Sequence, residues 1–244
     1  MFRTFAALAL VLAPITALAE EAQFVIDPTR SSILAFGGIA DQQANAQSPG
    51  SDRAFYSGQF RVNLTDSTIQ FLDGSFLKAI NYPLPLEPGL DGAPGSAPAN
   101  YGFVTDPGPF GVSKSALRDF IFTVTSAPLT MQPFNGTLQF NTSVQQGIQS
   151  GRVEFFNGQV AGAKNFAGFT IPGDDDNVSS LSTENGIQTL QFHFYSAIGY
   201  DARQDSDSYF QFAGDMIATR AVPEPGGLAL ALGATLLLSS RRRP

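Results

Sequence analysis

A single imidazole limits the chemistry that this chain can perform through histidine. His193 lies on the polar side of an alternating run at 190–194 and would have to be the base of any serine triad. The Gly-x-Ser-x-Gly sequence that presents a nucleophilic serine is absent. Sites with several histidine ligands are excluded, and the lack of cysteine excludes thiolate-bound zinc and iron–sulfur clusters. We interpret His193 as an ordinary residue on a strand face and predict no catalytic residue.

Two acidic groups have the oxygen-rich composition of a weak calcium site. They are Asp174, Asp175 and Asp176 in one turn, and Asp201, Asp205 and Asp207 before the last apolar run. Neither group has the spacing of an EF-hand, so solvated acidic turns are the favoured interpretation and calcium the weaker alternative. Paired carboxylates also hydrolyse glycosides, which keeps an extracellular hydrolase as the least favoured function. We predict no metal and no cofactor.

Period-two alternation of apolar and polar residues dominates the chain and is typical of half-buried antiparallel strands. It is clearest at 60–64, 120–124, 138–144, 190–194 and 209–219, where phenylalanine recurs on one side. Further strands are predicted at 23–27, 32–36, 68–72, 75–80, 152–157 and 167–171. More than ten short strands and 22 phenylalanines predict an all-β fold, an antiparallel sandwich or barrel.

Turn and loop sequences separate these strands. Tight turns are predicted at 27–30 and at the Asp73-Gly74, Asn135-Gly136 and Asn185-Gly186 pairs, of which 73–74 is the strongest hairpin signal. The range 81–109 contains seven prolines and is predicted to be a long loop without a regular ladder. The polar range 42–53 is predicted to be a second, mobile loop.

The N-terminal residues have the order of a secretory signal peptide. Arg3 gives the positive region, 5–15 is apolar, and Ala17-Leu18-Ala19 has the small-x-small pattern that signal peptidase needs. We predict a signal peptide at 1–19 and a mature β-rich domain at 20–221.

The C-terminal residues 222–244 combine a proline-rich break, an apolar run and a basic cluster. Val222, Pro223, Glu224 and Pro225 precede the apolar range 226–240, and Arg241, Arg242 and Arg243 follow it. At about 1.5 Å per residue a helix over 226–240 spans roughly 22 Å, against about 30 Å for a bilayer core. The arginines place the end of the chain on the cytoplasmic side and the domain outside.

This C-terminal pattern resembles the PEP-CTERM sorting signal of exopolysaccharide-producing bacteria. The resemblance implies recognition by an exosortase and removal of the tail, and an uncut membrane anchor is the alternative. A second resemblance covers 24–36, which is similar to the opening strands of the YceI family, exported lipocalin-like barrels that hold isoprenoid lipids. Arg30 replaces the histidine usual in that motif.

Charge and location restrict the partners. The chain has 14 basic and 21 acidic residues, and loss of both end segments removes four basic and one acidic residue, leaving a net charge of −10. Such a surface disfavours nucleic acid and anionic headgroups. We therefore predict an exported, non-catalytic protein of the envelope or extracellular matrix. Its predicted partners are signal peptidase, exosortase and the membrane, with exopolysaccharide or lipid as alternatives through a sugar- or lipid-binding sandwich or barrel.

Overall fold

The structure, a computed structural model, describes residues 19–39, 42–86, 98–105, 111–156, 161–172, 177–198 and 208–222. Within these ranges the chain is all-β, and none of these residues lies in a helix. All the strand pairs described are antiparallel, as the alternating sequence predicts.

The strands of the described ranges are numbered in chain order. They are β1 (Glu20–Ile26), β2 (Ser32–Ile39), β3 (Gln42–Ala46), β4 (Arg53–Leu64), β5 (Thr68–Phe71), β6 (Phe76–Ala79), β7 (Tyr101–Thr105), β8 (Lys114–Thr125), β9 (Leu129–Thr130), β10 (Gln132–Phe134), β11 (Thr137–Asn141), β12 (Gln145–Phe156), β13 (Ala161–Asn165), β14 (Thr170–Pro172), β15 (Val178–Glu184), β16 (Ile187–Ile198) and β17 (Ser208–Ala221).

Strands that follow one another along the same line of the sheet form eight rows. In order, the rows are β1–β2, β3–β4, β5–β6–β7, β8–β9–β10, β11–β12, β13–β14–β15, β16 and β17. Each row pairs with the next along the chain, and the eighth pairs with the first through β17–β2 and β17–β1. The ladders therefore form a closed circuit, which leaves the first and last rows paired on both sides.

The ladder between the sixth and seventh rows is the shortest part of this circuit. It joins 180–184 to 187–191 and is not described further along β16. Beyond it, the side-chain amide of Gln146 in the fifth row donates to the carbonyl oxygen of Tyr195 in the seventh, at 2.7 Å. A buried side chain thus continues the connection where the ladder stops.

One face of every long strand contributes to a single aromatic core. Phe60 and Phe192 have ring centres 5.0 Å apart, and Phe122 and Phe194 are at the same separation. All four side chains are buried. Because each ring removes a large apolar area from water, this alternating face is the main source of stability.

The predicted strands and turns are largely present. The turn at 27–30 is held by Asp27, whose Oδ1 accepts from the backbone nitrogen of Thr29 at 2.9 Å and from its hydroxyl at 2.7 Å. These bonds lower the pKa of Asp27. The Asn135-Gly136 and Asn185-Gly186 pairs have positive φ at both residues, as two-residue hairpins require.

The hairpin predicted at Asp73-Gly74 is wrong, although a turn is present there. β5 and β6 both pair with β4 rather than with each other. The hydroxyl of Ser75 accepts from the nitrogen of Arg61 at 2.9 Å and donates to its carbonyl at 3.0 Å. This side chain substitutes for ladder bonds, so the turn is an interruption within one row.

Two predicted loops contain paired strands. β3 lies in the polar range 42–53 and pairs with β2 and β7. β7 lies in the range 81–109 and pairs with β3 and β8. Its five residues include no proline, and the neighbouring rows supply ladder partners on both edges.

The strand predicted at 167–171 is displaced. Ala167 and Gly168 form a turn, with φ of 89° at the glycine, and β14 covers only the end of the predicted range. β13, which the sequence did not predict, precedes this turn and pairs with β12.

Most of the predicted signal peptide and C-terminal segment lies outside the described residues. None of the described residues forms a helix with the length and hydropathy needed to span a bilayer.

Candidate functional site

The two ends of the described body, residues 20–222, lie side by side. The Glu20 carboxylate accepts two hydrogen bonds from Arg220, at 2.7 Å from Nη1 and 3.2 Å from Nη2. This pair connects the start of β1 to the end of β17 in the adjacent row. The hydrogen bond from Arg220 lowers the pKa of Glu20, against a smaller opposing effect of burial.

Arg220 is fixed by further contacts. Its Nε donates to Oε1 of Gln188 at 2.6 Å, and its guanidinium carbon lies 5.3 Å from the centre of the Phe24 ring. That distance is within the range of a cation–π contact. The arginine side chain is 12% exposed, so Glu20 binds a partner that is already held in place.

Two of the residues predicted to direct processing are described. Ala19 directly precedes β1, and Val222 directly follows β17. The backbone nitrogen of Val222 donates to the carbonyl oxygen of Gly186 at 2.8 Å. The others lie outside the described residues: Ala17, Pro223, Glu224, Pro225, Arg241, Arg242 and Arg243.

The predicted calcium candidates also lie outside the described residues: Asp174, Asp175, Asp176, Asp201, Asp205 and Asp207. In the described part of the chain, no group of three or more His, Cys, Asp or Glu residues is placed to hold a metal ion. The calcium hypothesis therefore stays a prediction.

His193 lies on the outer face of β16, directly opposite Asp215 on β17. Its Nδ1 contacts Oδ1 of Asp215, and its backbone nitrogen donates to the hydroxyl of Ser179 at 3.0 Å. A carboxylate on Nδ1 is the orientation that a catalytic histidine needs. The side chains of His193 and Asp215 are 38% and 50% exposed, so a cross-strand surface pair accounts for the same geometry.

The most buried charges among the described residues belong to Arg118 and Glu154. Their side chains are 2% and 3% exposed, and Nε of Arg118 donates to Oε2 of Glu154 at 2.6 Å. Oε1 of the same carboxylate accepts from Nε of Arg152 at 2.8 Å, and Arg152 also contacts Oδ2 of Asp119. Burial alone would raise the pKa of Glu154, but the hydrogen bonds and charges of the two arginines outweigh it and lower the pKa.

A β-bulge turns the side chains of this ionic cluster to the outer face of the sheet, away from the aromatic core. Leu117 and Phe120 both belong to the core although they are three residues apart, which requires one extra residue between them. Asp119 is this extra residue. Its φ of 57° is a left-handed conformation, which costs a non-glycine residue about 1–2 kcal/mol. The hydroxyl of Ser150 on β12 donates to the carbonyl oxygen of Asp119 at 2.6 Å. Strain of this kind concentrates at functional positions.

A half-open cleft of about 490 Å³ lies at the bulge. Ser57, Lys78, Ile121 and Ser150 are neighbours across four rows and form its floor. Asn81, Asn100 and Asp119 also contribute to its lining. Asn100 is buried and fixed, because its Oδ1 accepts from the nitrogen of Phe120 at 3.0 Å and its Nδ2 donates to Oδ1 of Asn81 at 3.2 Å.

A second cleft, of about 430 Å³, lies beside the β10–β11 hairpin. Its lining includes the exposed side chains of Phe134 and Val178, and no charged residue of the described chain contributes to it. It therefore offers apolar contact without the charged groups of the cleft at the bulge.

Comparison with known proteins gave no match, since no family model, curated protein or solved structure is similar to this chain. The resemblances at 24–36 and at 222–244 therefore stay predictions.

Two buried phenols meet in the core of the described residues. The hydroxyls of Tyr56 and Tyr101 are 2.8 Å apart, and that of Tyr101 also lies 3.5 Å from the carbonyl oxygen of Ile33. Burial raises the pKa of both phenols above the ordinary value, so both are neutral at physiological pH. The pair satisfies two polar groups within an aromatic interior.

Replacement of Tyr56 by phenylalanine should lower the free energy of unfolding by about 1–2 kcal/mol, because the hydroxyl of Tyr101 loses its short hydrogen bond in a buried site. The double change Tyr56→Phe/Tyr101→Phe should cost less than the sum of the two single changes. Urea denaturation followed by circular dichroism gives these values. Tyr82→Phe, which removes an exposed bond to Pro49, is the control and should cost less than about 0.5 kcal/mol. Additive single changes would contradict the coupling of the two phenols.

The sequence did not predict the buried ion pair, the bulge or the cleft. The available signal was the run Leu117-Arg118-Asp119-Phe120, where alternation fails by one residue. Such a failure predicts a bulge, but it does not identify Glu154 as the partner of Arg118, which is 36 residues away.

Proposed function

We propose that this chain is an exported protein of the cell envelope or extracellular matrix, processed at both ends, with a β-rich body that has no catalytic role. The observation that carries the proposal is the position of the two body ends. Ala19 and Val222, at the predicted processing positions, flank neighbouring strands that Glu20 and Arg220 connect.

β17 ends at Ala221, directly before the predicted proline-rich break at 222–225. Val222 still donates a backbone hydrogen bond to Gly186. Pro223 has no N–H and cannot extend a ladder, so the proline-rich break is suited to end the body there. We expect both hydrophobic segments to leave the body from the same side. A nascent chain held in one membrane by both segments would need this arrangement, and an exosortase would meet the junction next to that membrane.

The closed circuit of ladders supports a barrel rather than a sandwich for the body. Its inward face carries packed rings, for example Phe120, Phe122 and Phe212, with centres 5.4–5.7 Å apart. An interior that is filled by its own side chains argues against the alternative of an internal lipid ligand. We propose a filled barrel that serves as an exported body.

The double change Pro223→Ala/Pro225→Ala should leave the C-terminal tail on most of the protein and retain it in the membrane fraction, because the extended junction that a processing enzyme grips is lost. Mass spectrometry of the intact protein from each cell fraction measures the tail directly.

The matched control is Pro83→Ala/Pro85→Ala, which removes two exposed prolines from the body. It should leave processing unchanged. Normal removal of the tail in the Pro223→Ala/Pro225→Ala protein would contradict recognition by the sorting signal, and an N-terminus upstream of Glu20 would contradict export through signal peptidase.

A further inference from the structure

The cleft at the β8 bulge combines charged, polar and apolar side chains on the outer face of the sheet. Lys78 and Asp119 bring opposite charges to its lining, and Ser57, Ser150 and Asn81 bring hydroxyl and amide groups. Ile80 and Ile121 add apolar surface. Donors, acceptors and small apolar areas thus lie together in a cleft that is open along one side.

We propose that this cleft binds a saccharide and that Lys78 recognises a carboxylate on one of its sugar units. A saccharide presents closely spaced hydroxyls, which donate and accept, and C–H faces, which pack on aliphatic side chains. The cleft offers both kinds of contact at neighbouring positions of the outer face. This proposal concerns the side of the body and does not depend on how the two ends are processed.

Lys78 is the group that selects an acidic sugar. Its side chain is exposed, and no carboxylate of the described residues pairs with it. Asp119 is the acidic residue in the lining, and it already contacts Arg152. The ammonium group of Lys78 is therefore available to a ligand carboxylate, with which it forms a charge-assisted hydrogen bond.

The buried ion pair supports the part of the lining that contains Asp119. Arg118, Glu154, Arg152 and Asp119 contact one another in series and carry balanced charges. Arg152 is held at Glu154 and so fixes the position of the Asp119 carboxylate. Because these four charges cancel, the charge of Lys78 makes the cleft positive. The protein as a whole has a net charge of −7, which disfavours the binding of long, densely charged polyanions.

The test is calorimetric titration of the full-length protein in a detergent without a sugar headgroup. The probes are oligosaccharides of uronic acid and neutral oligosaccharides of equal length, with a chelator present to prevent bridging by calcium. We expect the uronic acid oligosaccharide to bind more tightly. Lys78→Ala should weaken that binding about tenfold, since a hydrogen bond to a charged group is lost. It should change the affinity for the neutral oligosaccharide less than twofold.

Lys114→Ala is the matched control because it also removes one lysine charge but lies outside the cleft. Lys114 is on β8, roughly 23 Å along the strand from Ile121, which lines the cleft. It should leave both affinities within twofold. Equal weakening by Lys114→Ala and Lys78→Ala would mean general attraction to surface charge and would overturn the proposal. The proposal would also be overturned if neither oligosaccharide binds at millimolar concentration, whether or not the two chain ends are processed.

Discussion

Replacement of Glu154 by glutamine is expected to lower the free energy of unfolding by about 3–5 kcal/mol, as is usual when one partner of a buried ion pair is removed. The Glu154 carboxylate accepts from Arg118 at 2.6 Å and from Arg152 at 2.8 Å, whereas the uncharged glutamine amide has a single oxygen that can accept from one of them. Arg118 also donates to the carbonyl oxygens of Pro98 and Leu86. Urea denaturation followed by circular dichroism measures the loss.

The effect should depend on burial rather than on the number of ion pairs. Glu21→Gln removes the acidic partner of Arg61 in a pair whose side chains are 58% and 41% exposed. We expect a loss of about 0–1 kcal/mol there, as is usual for surface pairs.

The double change Arg118→Met/Glu154→Leu should recover most of the stability lost in Glu154→Gln, because apolar residues of similar volume need no charge partner. Equal losses at the buried and the surface pair would contradict this account.

Acid should weaken the wild-type protein partly through the same carboxylate. The pKa of Glu154 is lowered in the folded protein from an ordinary value of 4.5. A lowered pKa stabilises the fold above the ordinary value, and this contribution is lost as the pH falls through the folded-state pKa. The loss of stability below about pH 4.5 should therefore be smaller in Glu154→Gln. It should not disappear, because the pKa values of Glu20 and Asp27 are also lowered.

Arg118, the basic partner of Glu154, also connects the proline-containing segment 81–100 to the sheet. Leu86 and Ala99 pack with Ala116 in a small cluster on the outer side of β8. Arg118 donates to backbone carbonyls on both sides of this segment. The described parts of the range 81–100 therefore cover a filled surface. Loss of Glu154 should loosen this segment before the aromatic core. The amide of Tyr82, which donates to the carbonyl oxygen of Ala99, should then exchange its hydrogen faster, while that of Val124, which donates to Ser75, should change less.

Alternation in the sequence was sufficient to predict the strands whose two faces differ. Residues 60–64 and 190–194 place phenylalanine on the core face and polar residues outside, so a period of two is visible. β3 and β7 are different because each is held between two strands. One is its neighbour in the chain, β2 or β8, and the other is its partner in the β3–β7 ladder, which joins segments distant in sequence. A short strand with little alternation is stabilised by tertiary contacts, and no local pattern predicts these.

The same limit applies to the pairing of the strands. The Asp73-Gly74 turn was predicted as a hairpin because a two-residue turn between apolar runs normally reverses the chain. Here Ser75 bonds to both backbone groups of Arg61, and β4 is long enough to pair with β5 and β6 in succession. The choice between sandwich and barrel was open for a related reason, since closure depends on the β17–β1 and β17–β2 ladders between the two ends of the body.

Replacement of Phe122 by alanine is expected to cost about 3–5 kcal/mol, because the ring is fully buried and the space that it leaves cannot collapse easily. Its centre lies 5.0 Å from that of Phe194 and 5.4 Å from that of Phe212. Phe134→Ala is the matched control: this ring is 55% exposed, and its loss should cost less than about 0.5 kcal/mol. Urea denaturation measures both values, provided that the dependence of the free energy of unfolding on urea concentration is the same in the variants and the wild type.

The same variant distinguishes a filled interior from one that holds a ligand. If the wild-type interior is close-packed, Phe122→Ala creates an apolar cavity that small apolar molecules such as benzene or xenon can enter, and their binding should restore part of the lost stability. The wild-type protein should gain nothing from them. A cost below about 1 kcal/mol for Phe122→Ala, with equal stabilisation of both proteins by benzene, would mean that space already exists beside this ring. The interior would then be able to hold a lipid, and the body would not be a filled barrel.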